Sequence, residues 1–489
     1  MVHLLGVDVG TSSAKAVVMD ERGNIISSGK SAYDIAIPHA GYAEQECEML
    51  WRAVCEAIRG AVRETSVKKR IRAVGITGQM HGIVLLDKEK KPLRPVIIWA
   101  DKRSRKQVEM LKNCGLETRV GNPVSTGIFL PSLLWVKENE PELFEKAVCA
   151  MLPKDYIRCL LCGAPGTDYS DATGTLLFHL KEGGWDREMI EKYHIKESLL
   201  PECHDSCEIA GETSTACEEI TGLPAGLPVV YGGGDTPMQI VGNGIVKSGQ
   251  LNTNIGTANQ INCVCDFLPK FDARVNLFHH IPQNGWIGVG AGLNGGILMK
   301  WLQNNVFTGY QSFSQMSGVA AESPAGANGL VWLPFLNGER SPYMDENAKA
   351  ILFGMSLAHT REDIIRAAME SVVFSFRDCM RVFEEIHLPM QEEVIASGGG
   401  SKSTLWLQMQ ADILQRPIRV TKGDEEACKG AAIAAGVGCG VYASLEEGCR
   451  AAVRFGDRMY EPQVKNKEVY DKAFGIYLEL YQNNKTLFV

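Results

Sequence analysis

The chain of 489 residues is long enough for roughly two to four domains, and its 45% of apolar and 22% of charged residues exclude a disordered chain. Lysine and arginine total 50 against 58 aspartates and glutamates, and the resulting charge of −8 excludes the basic surface of a general nucleic-acid-binding protein. No apolar run is long enough to span a membrane and no basic leader precedes the first strand, so we expect a cytoplasmic protein.

The alternation of strand and helix patterns predicts an α/β fold. The first half is predicted to begin with a three-stranded meander, followed by a helix with apolar residues at helical spacing and then by a further strand. The first strand ends at Asp8, and the last ends in a turn that contains Gly78. The predicted strands are residues 4–7, 14–19, 25–26 and 73–76, and the predicted helix is residues 50–62.

The second half of the chain repeats this order. A strand over residues 251–255 leads into a turn and a hairpin partner over residues 260–265, and a later strand ends in three glycines. A helix is predicted to begin at Thr360, with Asp363 as its capping-box partner. The repetition predicts a duplication into two domains, residues 1–246 and 247–489, which pack against each other across a cleft.

The turn of each hairpin carries residues that suit a phosphate. After Asp8, Gly10 lets the backbone approach a ligand closely, and hydroxyls follow directly at Thr11 and Ser12. An isolated turn of this kind is equally explained as a polar β-turn. Two such turns in duplicated halves favour a phosphate held from both sides of the cleft.

Two glycine triplets end predicted strands. The first, residues 232–234, precedes Asp235, which is interpreted either as a helix N-cap or as a general base in the cleft, and the two roles are compatible. The second, residues 398–400, is either a tight strand–helix turn or a platform for adenosine. A helix of small residues over 426–432 is predicted to pack closely against this second triplet.

Fifteen cysteines cannot all pair within one chain, which favours reduced, buried thiols. Cys159 and Cys162 form a CxxC, and Cys203, His204 and Cys207 offer three more soft ligands. A structural zinc site and inert core thiols both remain open, although the gap of about 40 residues matches no compact zinc ribbon. The sequence contains neither a P-loop, a dinucleotide-binding glycine motif, a zinc-peptidase motif nor a nucleophile-elbow motif.

Taken together, these motifs resemble those of the FGGY family of carbohydrate kinases over nearly the whole chain. The resemblance implies two actin-like (ribonuclease H-like) domains with ATP and Mg²⁺ between them. It is carried by short motifs in a specific order, namely residues 8–12, 78–82, 152–156, 170–175, 232–235, 256–257, 336–342 and 398–400, with Trp406 and residues 411–412 after them.

The resemblance also implies a role for each matching residue. Asp235 is implied to be the general base, and Asp8 to orient Mg²⁺. The sugar is implied to contact Met80, His81, Trp99, Asp101, Arg103 and Asp235. The nucleotide is implied to contact Asp8, Gly10, Thr11, Ser12, Gly256, Thr257, Asn337, Gly398, Gly399, Gly400, Lys402 and Ser403.

The implied reaction is ATP-dependent phosphorylation of a ketose, with D-xylulose favoured. Several positions depart from the family pattern, among them Thr236 after the base and Ala258 in the second phosphate turn. They leave a kinase for another ketose or polyol, such as sedoheptulose or ribulose, as the alternative. An actin-like ATPase without a sugar substrate is the alternative from a different class, and a sensor without activity is disfavoured by the retained Asp8 and Asp235. A homodimer is compatible with the resemblance.

Overall fold

The computed structural model describes residues 2–112, 114–282 and 284–488. Within these residues, the strands form two large sheets and several two-stranded pairs. The strands are β1 (His3–Val9), β2 (Ser13–Asp20), β3 (Ile25–Ala32), β4 (Glu44–Gln45), β5 (Ile71–Gly78), β6 (Val84–Leu86), β7 (Val96–Ile97), β8 (Cys149–Met151), β9 (Thr167–Asp168), β10 (Phe178–His179), β11 (Gly184–Trp185), β12 (Cys203–His204), β13 (Ile209–Glu212), β14 (Pro228–Val230), β15 (Gly233–Gly234), β16 (Leu251–Ile255), β17 (Asn259–Cys265), β18 (Asn276–His279), β19 (Trp286–Gly292), β20 (Val331–Leu333), β21 (Ile351–Phe353), β22 (Val394–Ser397) and β23 (Ile418–Val420).

Helices connect these strands and cover the sheets. The α-helices are α1 (Cys47–Ala61), α2 (Thr65–Lys68), α3 (Arg105–Lys112), α4 (Glu117–Val120), α5 (Phe129–Asn139), α6 (Pro141–Lys146), α7 (Pro153–Cys162), α8 (Tyr169–Ala172), α9 (Arg187–Lys192), α10 (Thr215–Thr221), α11 (Asp235–Gly242), α12 (Gly296–Asn305), α13 (Phe313–Ala320), α14 (Arg361–Glu385), α15 (Thr404–Leu414), α16 (Glu426–Gly438), α17 (Leu445–Ala452) and α18 (Val464–Asn484). Short 3₁₀ helices cover Thr173–Thr175, Glu197–Leu199, Ala327–Gly329, Gly399–Lys402 and Lys485–Leu487.

The first large sheet has the strand order β13-β14-β5-β1-β2-β3. β1, β2 and β3 form the predicted antiparallel meander, while β5 runs parallel to β1 and β14 runs parallel to β5. Leu4, Leu5 and Val7 of β1 are completely buried, because both faces of the central strand are covered. The apolar run that predicted this strand is therefore explained by its central position.

The second large sheet, ordered β18-β19-β17-β16-β22-β23, repeats the plan of the first. β16, β17 and β19 are antiparallel neighbours, and β22 and β23 follow in parallel with β16. The predicted α/β class and the two-unit architecture are thus confirmed. The boundary between residues 246 and 247 stays a prediction.

Helix α14 is the long central helix of the second unit, and the predicted capping box starts it. The Thr360 side chain and the backbone of Asp363 are paired, and the Asp363 carboxylate accepts the Thr360 backbone N–H at 3.0 Å. One face of α14 then contributes Ile365, Met369 and Phe376 to the core of this unit, all of them buried. The predicted start of the helix and its apolar face are both confirmed.

Helix α16 lies elsewhere than its sequence suggested. The prediction that this helix packs against the glycines at 398–400 is wrong, because it lies across β1, β5 and α11 of the first unit. Contact is so close that a Cβ atom at Gly6 would lie 1.9 Å from the Cys428 carbonyl oxygen, and one at Gly75 would lie 1.8 Å from that of Ala431. A helix from the second half of the chain thus completes the core of the first unit.

The described part of the chain has no helix that combines the length and the apolar character needed to cross a bilayer. The same residues contain no cluster of three or more histidines, cysteines or acidic residues arranged to hold a metal ion. Cys159 and Cys162 lie on α7, and Cys203 and Cys207 are half-buried, all four as free thiols. The structure therefore offers no support for zinc at these positions.

Candidate active site

The ends of three adjacent strands place the two candidate aspartates side by side. Asp8 of β1 pairs with Thr77 of the parallel strand β5, and Thr77 pairs on its other side with Gly233 of β15. Gly234 then leads directly into α11, whose first residue is Asp235. Because these strand ends meet at one edge of the sheet, Asp8 and Asp235 face the same cleft.

Asp8 carries a buried carboxylate oxygen that has no partner. Its Oδ1 atom makes no hydrogen bond within the described residues. Burial, together with the nearby Asp235 carboxylate, raises the pKa of Asp8 to about 7, although Lys15 opposes the rise. Lys15 is itself paired with Glu425 at 2.7 Å. A buried anion in such a position is costly unless a cation or a proton donor faces it.

Asp235 is not the N-cap that one interpretation of the sequence suggested. Gly234 occupies that position in an extended conformation, without any side-chain cap, and Asp235 lies inside the first turn. Its carboxylate accepts the backbone N–H of Thr236 at 2.6 Å. Burial raises its pKa to about 6, and the bonds from Thr236 oppose this rise. Asp235 is thus a carboxylate poised to change charge near neutral pH.

The first phosphate turn is held by contacts with its neighbours. The Gly10 backbone N–H donates to the Ser13 carbonyl at 3.1 Å, and the Gly10 carbonyl accepts the hydroxyl of Tyr33. The Thr11 hydroxyl accepts the indole N–H of Trp99 at 2.9 Å, while Ser12 is exposed. The turn therefore presents a fixed backbone and an accessible hydroxyl to the cleft.

The second phosphate turn, which contains Gly256 and Thr257, lies at the end of β16 in the second large sheet. The carbonyls of Gly256 and Thr257 accept the first backbone N–H groups of α12, at 2.8 and 3.0 Å. A Cβ atom at Gly398 would lie 2.3 Å from Oδ1 of Asn254, so the glycine turn after β22 packs directly beside the end of β16. The residues predicted to hold phosphate and adenosine thus adjoin one another.

Met80 and His81 lie between the two aspartates and the second unit. Met80 is only 4% exposed, and its side chain packs under Gly234 and against Phe278. The His81 Nδ1–H donates to the Gly174 carbonyl at 2.7 Å. Because burial lowers the pKa of His81 to about 4, the ring is neutral and its Nε2 atom is left as an acceptor. Met80 supports the pocket from below, and His81 can bind a hydroxyl.

We expect His81→Asn to impair use of the second substrate more than stability. Asparagine tolerates the left-handed backbone of His81, whose φ is 75°, but its shorter side chain withdraws the acceptor. The kcat/KM for that substrate should fall by about 10-fold or more, which corresponds to about 1.4 kcal/mol or more. Steady-state kinetics and thermal melting decide this: a sharp fall in Tm with normal kinetics would show a purely structural histidine.

Comparison with known proteins identifies the family of the chain. The N-terminal domain of the FGGY family of carbohydrate kinases matches residues 3–242, and its C-terminal domain matches residues 269–439. A xylulose kinase of Bacillus subtilis is 34% identical over 492 residues, which cover 100% of this chain and 98% of that protein. The chain belongs to the FGGY family of carbohydrate kinases.

Solved structures share the fold of this FGGY kinase. A xylulose kinase from Rhodospirillum rubrum has a TM-score of 0.92 at 28% identity, with 99% of each chain covered. A gluconate kinase from Lactobacillus acidophilus has a TM-score of 0.93 at 27% identity, again with 99% of each chain covered. The predicted pair of actin-like domains and the predicted use of ATP are confirmed for the kinase.

Asp101 and Arg103, which were predicted to bind sugar, are bonded mainly to each other. The Arg103 guanidinium donates to the buried Asp101 carboxylate at 2.8 to 3.0 Å and pairs with Glu44 at 2.7 Å. Asp101 also accepts the backbone N–H of Ala43 at 2.7 Å. In this geometry they hold the loop that carries Trp99, so direct sugar contact stays a prediction for both.

Of three further predicted nucleotide contacts, two are exposed and Ser403 is buried. Asn337 is exposed in a turn. The Lys402 side chain is 74% exposed and lies 3.5 Å from Asp424. Ser403 caps α15, since its hydroxyl accepts the backbone N–H of Trp406 at 3.2 Å. Contact with ATP stays a prediction for these three residues.

Arg340 lies in a motif that carries the family resemblance, but its sequence context predicts no role for it. Its guanidinium reaches across the kinase cleft to 5.9 Å from the ring centre of Trp99, and it makes no ion pair with any described residue. The neighbouring Glu339 is buried and accepts the backbone N–H groups of Leu293 and Arg340, at 2.7 and 2.8 Å. The backbone of Arg340 is therefore fixed while its charge remains available.

Proposed function

We propose that this kinase transfers the γ-phosphate of ATP to a hydroxyl of D-xylulose and forms xylulose 5-phosphate, with Mg²⁺ bound at the phosphates. The observation that carries the proposal is the buried Asp235 carboxylate, which forms no ion pair with a cation among the described residues. It faces the same cleft as Asp8, the first phosphate turn and His81. The choice of sugar is supported by the relatives that are named xylulose kinases.

In the proposed reaction, Asp235 accepts the proton of the attacking hydroxyl. The hydroxyl oxygen forms a bond to the γ-phosphorus while the bond between this phosphorus and the β–γ bridging oxygen breaks, and ADP leaves. His81 accepts a hydrogen bond from another hydroxyl through Nε2 and thereby orients the sugar. Phosphoryl transfer needs positioning and charge compensation more than covalent help, and these residues supply the positioning.

The residues around Asp8 fit a hard cation. Mg²⁺ is usually held by one or two carboxylates together with substrate phosphates, and Asp8 has a buried oxygen without a partner. Asp8 would therefore hold Mg²⁺, which supplies charge neutralisation when it is bound. The Thr11 and Ser12 turn would contact the γ-phosphate, and the Gly256 and Thr257 turn would contact the phosphates from the opposite wall.

The acid limb of the pH profile follows from Asp235. Its pKa is raised to about 6 by burial, and only the ionised carboxylate accepts a proton. At saturating ATP and Mg²⁺, where Asp8 stays ionised beside the cation, kcat/KM for the sugar should fall about tenfold per pH unit below that value. A rate that stays constant down to pH 5 would contradict the assignment, and Asp235→Asn should show no such limb.

The proposed function is tested by ADP release with a panel of substrates. D-xylulose should give the highest kcat/KM, above D-ribulose, sedoheptulose, D-gluconate and glycerol. The product should be identified as the 5-phosphate by NMR, because ADP release alone also reports hydrolysis. ATP turnover that no sugar stimulates would refute sugar phosphorylation and favour an ATPase.

Gluconate is a second candidate substrate. One structural relative is named a gluconate kinase and has a TM-score of 0.93. The Arg340 guanidinium, which faces Trp99 without an ion-pair partner among the described residues, is available to pair with a sugar carboxylate. A kcat/KM for D-gluconate above that for D-xylulose would establish this alternative.

A further inference from the structure

A cluster of charged residues lies directly behind the candidate base. It consists of the cations Lys154 and Arg158 and the anions Asp155, Asp168 and Asp171, and all five side chains have zero exposure. The Lys154 ammonium is 2.6 Å from Asp155, 3.0 Å from Asp168 and 3.6 Å from Asp171. Lys154, Asp155 and Asp171 lie within motifs that carry the family resemblance, whereas Arg158 and Asp168 lie outside them.

Burying such a cluster requires the desolvation of five charged groups, which opposes folding. Desolvation of paired charges often costs as much as their attraction returns, so well-packed apolar residues would serve stability equally well. The cluster is therefore better explained by what its members hold in place than by any stabilisation of the core.

The cluster holds the segment that leads to Asp235 at both ends. At the start, the Tyr231 carbonyl accepts a hydrogen bond from Lys154 at 3.4 Å and one from Arg158 at 3.2 Å. At the end, the Gly234 backbone N–H donates to the Ser170 hydroxyl oxygen at 3.1 Å. The Ser170 hydroxyl in turn donates to Asp168 at 2.5 Å.

Within this segment only Tyr231 has a side chain, and its ring stacks on that of His204 at 3.9 Å between centroids. Residues 232–234 are glycines, and a Cβ atom at Gly233 would lie 2.9 Å from the Ser170 oxygen. Hydrogen bonds to the backbone therefore take the place of side-chain packing. Ser170 connects the charged cluster to the residue that immediately precedes the base.

We infer that Lys154, Arg158 and Ser170 are positioning residues that fix the Asp235 carboxylate through the backbone of residues 231–234. The inference rests on the proposed function of Asp235 as the base. A displacement of about 1 Å at a reacting group costs up to about 100-fold in rate, so even a small shift of this segment should be measurable.

The test uses Ser170→Ala, with Ser206→Ala as its matched control. Ser206 is also buried and donates to the same Asp168 carboxylate at 2.9 Å, but its hydroxyl does not contact Gly234. We expect kcat to fall about 10- to 100-fold in Ser170→Ala, with KM for ATP within about twofold of the wild type. Ser206→Ala should retain nearly the wild-type kcat. Ser170→Cys, which keeps the packing but is a weak acceptor, should resemble Ser170→Ala.

A double-mutant cycle separates positioning from general damage. If Ser170 acts through Asp235, then Ser170→Ala should not lower further the residual rate of Asp235→Asn. An equal fall in both backgrounds would overturn the inference, and so would a wild-type kcat in Ser170→Ala. If the wild-type kinase phosphorylates no sugar of the panel, the proposed function itself fails. If it phosphorylates one, the comparison between variants judges the inference alone.

Discussion

Asp235→Asn should lower kcat by about 10²- to 10⁴-fold while the protein remains folded. Asparagine cannot accept a proton at neutral pH, so the attacking hydroxyl loses its base. The fold should tolerate the change, because the side-chain carbonyl of asparagine can still accept the Thr236 backbone N–H that Asp235 accepts at 2.6 Å. Thermal stability should even rise above pH 6, since the mutation removes a buried negative charge.

Asp235→Ala is the control for this prediction. Since Gly234 rather than Asp235 occupies the N-cap position, alanine should melt close to the asparagine variant. Both variants should bind ATP, which is assigned to the two phosphate turns and can be measured by calorimetry. Near-wild-type turnover in Asp235→Asn would refute the proposed mechanism.

Of the substitutions proposed, Gly75→Ala should cause the largest loss of stability. A Cβ atom at this position would lie 1.8 Å from the carbonyl oxygen and 2.5 Å from the carbonyl carbon of Ala431, both of which are backbone atoms of α16. The helix would have to move away from β5, and with it the contacts around Gly6 and Gly242. We expect a loss on the order of 4–5 kcal/mol and a fall in Tm of roughly 5–15 °C.

Gly475→Ala is the matched control for this substitution. Gly475 lies inside α18, and a Cβ atom there would meet no atom within 4 Å. Because alanine favours a helix over glycine by about 1 kcal/mol, this variant should melt at or above the wild-type temperature. Equal melting temperatures for the two variants would show that α16 adapts to the added methyl group without cost.

Local patterns in the sequence were sufficient for several strands of the two large sheets, for the start of α14 and for the repeated order of the two halves. The apolar run that ends at Asp8 predicted β1, and Thr360 with Asp363 predicted the start of α14. Each of these signals lies within a few neighbouring residues, where chain geometry alone determines the result. The strand order repeated in both sheets is the spatial form of the repetition seen in the sequence.

Predictions from the sequence were wrong where contacts between distant parts of the chain determine the structure. α16 was assigned to the glycine turn near it in sequence, whereas Gly6 and Gly75 of the first unit leave room for its backbone. The N-cap interpretation of Asp235 was wrong because the conformation of Gly234 depends on its pairing with Gly78 of β5. No local pattern revealed either contact.

For the candidate site, too, residues with a local signal were predicted and residues defined by distant contacts were not. Asp8 and Asp235 were singled out because polar residues after apolar strands are visible in a single sequence, whereas the role of His81 followed from the family resemblance. Arg340 was not singled out, since nothing in its neighbourhood reveals that it faces Trp99 across the cleft. The partners of Lys154 likewise come from β9 and α8, and only the folded chain brings them together.

The position of α16 sets the order in which the chain can complete its first unit during synthesis. β1 and β5 leave the ribosome hundreds of residues before the helix that covers them. Until then, one face of the nascent sheet has no permanent cover, and long-range contacts of this kind slow folding and favour binding by chaperones. A chain cleaved between its two halves would therefore lack the helix that covers the first sheet. The first unit can be completed only after α16 has been synthesised.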